Sequence, residues 1–396
     1  MMKKSLRVGV DEFTVVCRSP SPVYAADWYI VAGEIIDEFL QKSKIEVLFG
    51  KVVPAESAKL AGYTHRWTIE NVPWYFAIGA HEHHQEMGIC VRFSAEAWAW
   101  YQKKYREQFN SPMNVAIFIQ MIQSGNYIAR ISRIDLTADY FNYGRKFTPD
   151  TLYNHLIKKQ VIVVDHNDRE AKRRKSHRGE EGIVETVYIG SKKENSKSLC
   201  RIYDKKLEQI EKSGFRLDEA LTCDNWTRFE VSYRGDYAHQ VGEELLAIKS
   251  EMELSQFIAA KITDKYRFLN VSIEDYTEYT NDLLDIAKNS SFSFLRSENP
   301  KNNTLAESIS HLMKGSGLYS TLYKVGSIWG EDAETELLGF LYHTYRENYV
   351  PEAYTDRNLD AWLRANYNSL KQQKLSDSFF THGTGTSKGD GDHAEN

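Results

Sequence analysis

Three segments of this chain alternate apolar and polar residues with a period of two and place carboxylates on the polar side. That pattern restricts the fold more than any other feature. The segments are Arg133-Ile134-Asp135-Leu136-Thr137-Ala138-Asp139, Arg201-Ile202-Tyr203-Asp204-Lys205-Lys206-Leu207-Glu208 and Trp226-Thr227-Arg228-Phe229-Glu230-Val231-Ser232. Successive side chains of a strand point to opposite faces. Arg133, Asp135, Thr137 and Asp139 therefore share a face of the first strand, opposite Ile134, Leu136, Ala138 and Tyr140. Arg228, Glu230 and Ser232 share a face of the last, and Arg201, Tyr203 and Lys205 a face of the middle one. Asp and Glu are disfavoured in strands. Three strands that each spend a face on charge are consistent with one polar surface crossing a sheet. An ordinary solvated face of an antiparallel sheet gives the same alternation.

Around these segments the chain reads as α+β: a mostly antiparallel sheet core with flanking helices and a helical C-terminal region. Residues 45–49, 74–78 and 88–93 are apolar runs between polar turns and read as strands. Residues 26–42, 95–107 and 114–124 read as helices. Thr148-Pro149-Asp150 opens another helix, with Pro near its first turn. Residues 161–164 form a short buried strand, and 184–190 and 198–204 the two arms of a hairpin. After about Gly242 the strand signal fades into helices, and the Gly-rich end from Thr381 reads as disordered. Four parts follow: an α+β part at 1–125, a sheet with the tyrosine strand at 126–240, a helical region at 241–374 and a disordered tail at 375–396.

Hydrophobic content of 42% and aromatic content of 13% are those of a globular chain. No apolar run approaches the roughly 18 residues of a membrane helix. Asp11 and Glu12 come too early for a signal peptide. Cys17, Cys90, Cys200 and Cys223 are scattered without a C-x-x-C pair, which fits a reducing cytoplasm. The net charge of −5 hides an uneven distribution. From Asn126 to Lys206 there are 18 Lys and Arg against 11 Asp and Glu, whereas the rest of the chain has 32 against 44. A basic stripe within an acidic protein is an electrostatic footprint of nucleic-acid binding, although a solvated charged surface has the same composition.

Four blocks in order resemble the Rep-trans family, which holds rolling-circle replication initiators and the MOB-T relaxases of integrative and conjugative elements. They are 133–139, Tyr188-Ile189-Gly190-Ser191-Lys192-Lys193, 201–208 and Arg228-Phe229-Glu230-Val231. The resemblance is clear over about 125–240 and loose before it. It implies a site-specific nickase that starts rolling-circle replication or conjugative transfer of a mobile element. Tyr203, in the I-Y-[DN]-K block, would attack one strand and stay on the 5′ phosphate. It implies Asp135 and Glu230, and less directly Asp139, as ligands of Mg²⁺ or Mn²⁺. Its partners would be origin DNA, double- and single-stranded, and a host superfamily-1 helicase, with a homodimer left open. The long helical C-terminal third favours the conjugative relaxase over the plasmid initiator.

The residues carry this chemistry in recognisable ways. A phenol titrates near pH 10, so Tyr203 needs activation, which Arg201 and Lys205 on its face would supply. Asp135 and Asp139 stand about 13 Å apart on a straight strand, so Asp135 with Glu230 is the better ligand pair. Lys172, Arg173, Arg174, Lys175 and Arg178 read as a basic loop, and Lys192 and Lys193 as a second, both suited to phosphates. His81-Glu82-His83-His84 falls at a turn and reads as a surface loop. A sequence-specific DNA-binding protein without cleavage is the rival reading. A phage initiator with the same chemistry is a further one.

Overall fold

The structure is a computed structural model. It describes residues 3–288 apart from 22, 24–26, 57–59, 171–174, 180–181 and 194–195, then 317–348, with single residues between 292 and 312 and at 363, 367 and 371. The expected tail therefore lies outside the described residues, as do Lys172, Arg173 and Arg174. Met1–Ser297 make one compact unit and Glu298–Asn396 a second.

In the first unit, ten strands form one antiparallel sheet. They are β1 (Ser5–Arg18), β2 (Val52–Pro54), β3 (His65–Ile69), β4 (Phe76–Ala80), β5 (Ile89–Phe93), β6 (Ile128–Phe141), β8 (Lys175–Arg178), β9 (Thr186–Gly190), β10 (Ser198–Asp204) and β11 (Trp226–Arg234). Their spatial order is β2-β3-β4-β5-β1-β6-β11-β10-β9-β8. A three-stranded sheet joins β7 (Val161–Val164) to β12 (Arg267–Asn270) and β13 (Asp275–Tyr276). Strand structure thus extends past Gly242, where the sequence pattern shows only helices. These strands are short, and β12 exists because β7 offers it an edge.

The helices of this unit are α1 (Trp28–Ser43), α2 (Ile45–Phe49), α3 (Ala95–Phe109), α4 (Val115–Met121), α5 (Pro149–Ile157), α6 (Lys205–Glu211), α7 (Leu217–Thr222), α8 (Asp236–Leu245), α9 (Glu251–Lys265) and α10 (Glu278–Ala287). The second unit contains α11 (Leu318–Trp329) and α12 (Glu331–Asn348). Residues 45–49, expected as a strand, are the helix α2. A five-residue apolar run has no period to separate the two states. Only Lys44, left-handed at φ 59°, separates α2 from α1. The Glu46 carboxylate accepts from the Val52 N–H at 3.0 Å and steers the chain into β2.

The core lies on one face of the large sheet. Phe13, Val15, Ile134, Leu136, Phe229, Val231 and Ile202 are buried there with Phe39, Trp98 and Phe118 from the helices and Phe257 and Ile262 of α9. Tyr233 and Tyr140 cross this layer and donate to the Lys261 and Tyr279 carbonyls at 2.6 and 2.8 Å. On the opposite face a small cluster of Phe141, Trp226, Ala220 and Cys223 seats α7 against β6 and β11.

The tyrosine strand ends where a helix must begin. The Asp204 carboxylate accepts from the Leu207 N–H at 2.8 Å and caps α6. This gives the [DN] position of the I-Y-[DN]-K block a structural reason, since Asp and Asn are equally good N-caps. Asp204→Ala is expected to cost about 1 kcal/mol of folding stability while Asp204→Asn costs almost nothing. Urea unfolding of the two variants checks this, and equal midpoints would count against the cap.

Candidate active site

Register builds the polar face. Across β6, β11 and β10, one row places Thr137 beside Glu230 and Glu230 beside Arg201. The next row places Asp139 beside Arg228 and Arg228 beside Tyr203. The polar surface expected from alternation is therefore present, but it is not a solvated one: Asp135 and Glu230 are 1% exposed and Arg228 2%.

β1 adds two carboxylates that the sequence pattern does not assign. Val10 pairs with Leu136 and Phe13 with Ile134, so Asp11 and Glu12 together oppose the single residue Asp135. This bulge lets two consecutive residues face the polar side while Val10 and Phe13 both face the core. Asp11 then accepts from Arg228 at 2.5 Å. Glu12 accepts from Arg92 at 2.7 Å and from Arg133 at 2.7 Å.

Buried charges must be paired, and here they are. Arg133 forks onto Asp135 at 3.1 and 2.6 Å, and the Ser232 hydroxyl also donates to Asp135. Asp139 accepts from Arg228 at 2.7 and 2.9 Å, from the Trp226 indole at 2.8 Å and from Arg216 at 2.9 Å. Arg201 binds Glu230 and stands 3.8 Å from Asp135. The Tyr203 hydroxyl donates to Glu230 Oε2 at 3.2 Å.

Above this floor runs a cleft of about 720 Å³. Asp11, Glu12, Arg201, Tyr203 and Glu230 lie along it, between Trp74 and Tyr75 on one side and Tyr188, Lys205 and Phe215 on the other. A half-buried phenol at the base of an open cleft, hydrogen-bonded to a carboxylate, can meet a substrate and lose its proton to that carboxylate.

The sequence pattern of the Rep_trans family, a replication initiation factor, matches residues 129–337, more than half of the chain. The chain belongs to the Rep_trans family. No curated protein matches it. A rolling circle replication initiator protein from Geobacillus stearothermophilus is similar at 16% identity over 74% of this chain and all of that one. Its TM-score is 0.49, too slight to carry an argument.

In this Rep_trans chain the structure brings Tyr203, Arg201, Glu230 and Asp135 together, with Lys205 Nζ 5.6 Å from the Tyr203 ring centroid, and sets the remaining candidates on other elements. Lys205 does not continue the tyrosine strand. It is the first residue of α6, buried, and paired with Glu208. Lys175 and Arg178, expected in a loop, sit on the edge strand β8 because 175–178 pairs with β9. Lys192 and Lys193 lie just after β9, with Lys192 Nζ 3.4 Å from the Tyr188 ring centroid. His81, His83 and His84 follow β4, where His81 Nδ1 accepts from the His83 and His84 N–H groups at 3.0 and 3.2 Å.

Arg228 is the cation that sequence reasoning missed. Tyr203 is held well above the ordinary value of a phenol, by burial first and then by the Glu230 charge, while Arg228 pulls the other way. Glu230 itself is pushed up to about 7, by burial first; Arg201 opposes the shift and the Asp135 and Asp11 charges reinforce it. Asp139 is held well below the usual carboxylate range: burial would raise it, but Arg228 and then Arg216 prevail.

The Asp135 and Glu230 carboxylates are adjacent hard-oxygen donors, the chemistry that Mg²⁺ or Mn²⁺ takes. The Asp135 and Asp11 charges, which add to burial in raising Glu230, are what a cation would relieve. Asp139 lies apart from them, its oxygens held by Trp226, Arg216 and Arg228; the Asp135 oxygens are likewise held by Arg133 and Ser232, so a cation there would have to displace Arg133. Among the described residues no three His, Cys, Asp or Glu side chains are grouped to hold a metal ion.

Glu208 ties the rim of the cleft together. Burial would raise its carboxyl, but Lys205 and then Lys212 overcome it and lower it from 4.5 to about 2. A depressed folded-state value contributes stability above the unfolded value and loses it as pH falls through the folded one. Glu208→Gln is therefore expected to be less stable than the natural chain at pH 5, with the difference gone by about pH 2. Urea midpoints at the two pH values measure it.

Proposed function

We propose that this chain nicks one strand of its origin DNA by transesterification at Tyr203 and later rejoins it. The observation that carries the reading is the Tyr203 hydroxyl, donated to Glu230 at the base of an open cleft in a Rep_trans chain. The Tyr203 oxygen forms a bond to the scissile phosphorus, and the bond from phosphorus to the 3′ oxygen breaks. The phenol proton passes to Glu230 Oε2, and the 3′ oxygen leaves as a hydroxyl with a proton taken from water. The 5′ phosphate stays on Tyr203, which conserves the ester for rejoining. Arg228, held by Asp11 and Asp139, steadies the negative charge that develops on the phenol oxygen. Arg201, held between Asp135 and Glu230, lines the cleft and is a cation that an incoming phosphate would meet. Asp135 and Glu230 would hold Mg²⁺ or Mn²⁺, which when bound would polarise the scissile phosphate.

The nick serves rolling-circle replication or, as the longer helical C-terminal region favours, conjugative transfer of a mobile element. A host superfamily-1 helicase is the partner such a nick calls for, because the duplex beyond it must still open, and the cytoplasm is where the two would meet. Arg178, which lines the cleft, and Lys175, Lys192 and Lys193 on and beside β8 and β9 are proposed phosphate contacts. The deciding experiment incubates the protein with supercoiled plasmid carrying the DNA around its gene, with Mg²⁺ or Mn²⁺. Nicked circles and a covalent adduct are expected, and Tyr203→Phe is expected to abolish both and leave DNA binding intact. Nicking by Tyr203→Phe would overturn the mechanism; binding without an adduct under any metal would favour the non-cleaving DNA-binding protein. Lys192→Ala with Lys193→Ala is expected to weaken binding across all sequences and to lower the salt slope by about 2.

A further inference from the structure

The polar network does not stop at the tyrosine's neighbours. It runs across five strands, from Arg92 on β5 to Tyr203 on β10, through hydrogen bonds and one looser ion pair between Asp135 and Arg201. Arg92 Nε and Nη2 donate to Glu12 Oε1 at 2.9 and 2.7 Å. The same oxygen accepts from Arg133 Nη1 at 2.7 Å. Arg133 turns its other two donors onto both oxygens of Asp135. Asp135 faces Arg201, Arg201 holds Glu230, and Glu230 accepts from Tyr203. Glu12 is the carboxylate at the head of this series.

The bulge at Asp11 and Glu12 is what admits Glu12. Under strict alternation with Val10 in the core, Glu12 would face the core and Phe13 the polar side. The extra residue resets the phase, so Glu12 joins the charged face and Phe13 stays in the core. A core alone gives no reason for a carboxylate there. Arg133 is shared, and that sharing has a consequence for Asp135. Glu12 adds a second negative charge on Arg133, so the surroundings that Arg201 meets at Asp135, 3.8 Å away, are more negative than Asp135 and Arg133 alone would make them. Without Glu12, Arg133 would belong to Asp135 alone. Arg201 would then be held less firmly at Asp135, and the Glu230 carboxylate it binds would be held less firmly under Tyr203. Glu12 lies outside the residues that the family pattern matches.

We infer that Glu12, in the β1 bulge, is a positioning residue for the nucleophile, acting through Arg133, Asp135, Arg201 and Glu230 on Tyr203. The inference rests on the proposed nicking reaction. The test measures, for the full chain and the same supercoiled plasmid, the first-order rate of adduct formation at saturating DNA and the DNA concentration that half-saturates it. Glu12→Gln is expected to lower the rate about tenfold, with half-saturation unchanged, as couplings within one network of hydrogen bonds and ion pairs do. Arg133→Lys is expected to lower it too, and the double variant to be no slower than the slower single. A merely structural Glu12 would lower the melting temperature, leave the rate of the folded fraction unchanged and combine additively with Arg133→Lys. Glu12→Asp keeps the charge but withdraws it by one methylene, so it folds and is expected to lose rate in the same direction by less. Rates for Glu12→Gln, or for Glu12→Asp should the first not fold, that equal the natural chain's would overturn the inference. Tyr203→Phe separates the two failures: if it still nicks, the reaction reading is at fault, and if it is dead while the Glu12 variants run at full rate, only this inference falls.

Discussion

The structure depends on the pairing of buried charge along one face of the ten-stranded sheet. Asp135, Asp139, Arg228 and Glu230 are all nearly inaccessible to water. An ion in that position is tolerated only with a partner and with its remaining hydrogen bonds met. Register supplies Asp139 opposite Arg228 and Glu230 opposite Arg201, and sets Tyr203 beside Arg228, while Asp135 is held by Arg133 of its own strand. A slip of one residue in any of these strands would turn the charges into the core and the core into the cleft. The same pairing that makes the face affordable therefore fixes the position of the tyrosine.

Two different tasks share this face. The lower row, around Asp139, Arg228 and Trp226, is closed by α7 and Arg216 and works as a rigid support. The upper row, around Asp135, Glu230 and Arg201, lies beneath the cleft, where burial first and the neighbouring carboxylate charges second raise Glu230 and Tyr203. A closely paired support beside a row whose groups are raised in this way is how one sheet can be stable and still hold groups poised for proton transfer.

Much of this was legible in the chain. The alternation in 133–139, 201–204 and 226–232 marked the right strands and the right faces. The hairpin of β9 and β10 and the helix begun by Thr148-Pro149-Asp150 were visible as turn and cap chemistry. Residues 45–49 were misread because five apolar residues look alike in a helix and a strand, and β12 because its edge partner β7 is about a hundred residues away. Lys205 was placed on the strand face because alternation does not announce its own end; Asp204, acting as a cap, ends it one residue earlier. Asp11 and Glu12 drew no notice as site residues, since a bulge has no signature in a single strand.

The sequence by itself determined the periods, the caps and the charge on the three strands, and it placed a tyrosine between cations in the order that the family shares. These are local properties, set by side-chain direction and by hydrogen bonds only a few residues long. Which guanidinium would face that tyrosine, and which carboxylates would meet across the sheet, was decided by the tertiary structure alone. Arg228 reaches Asp11 over 217 positions of chain, and only the register of β1, β6, β11 and β10 brings two such distant residues within hydrogen-bond distance.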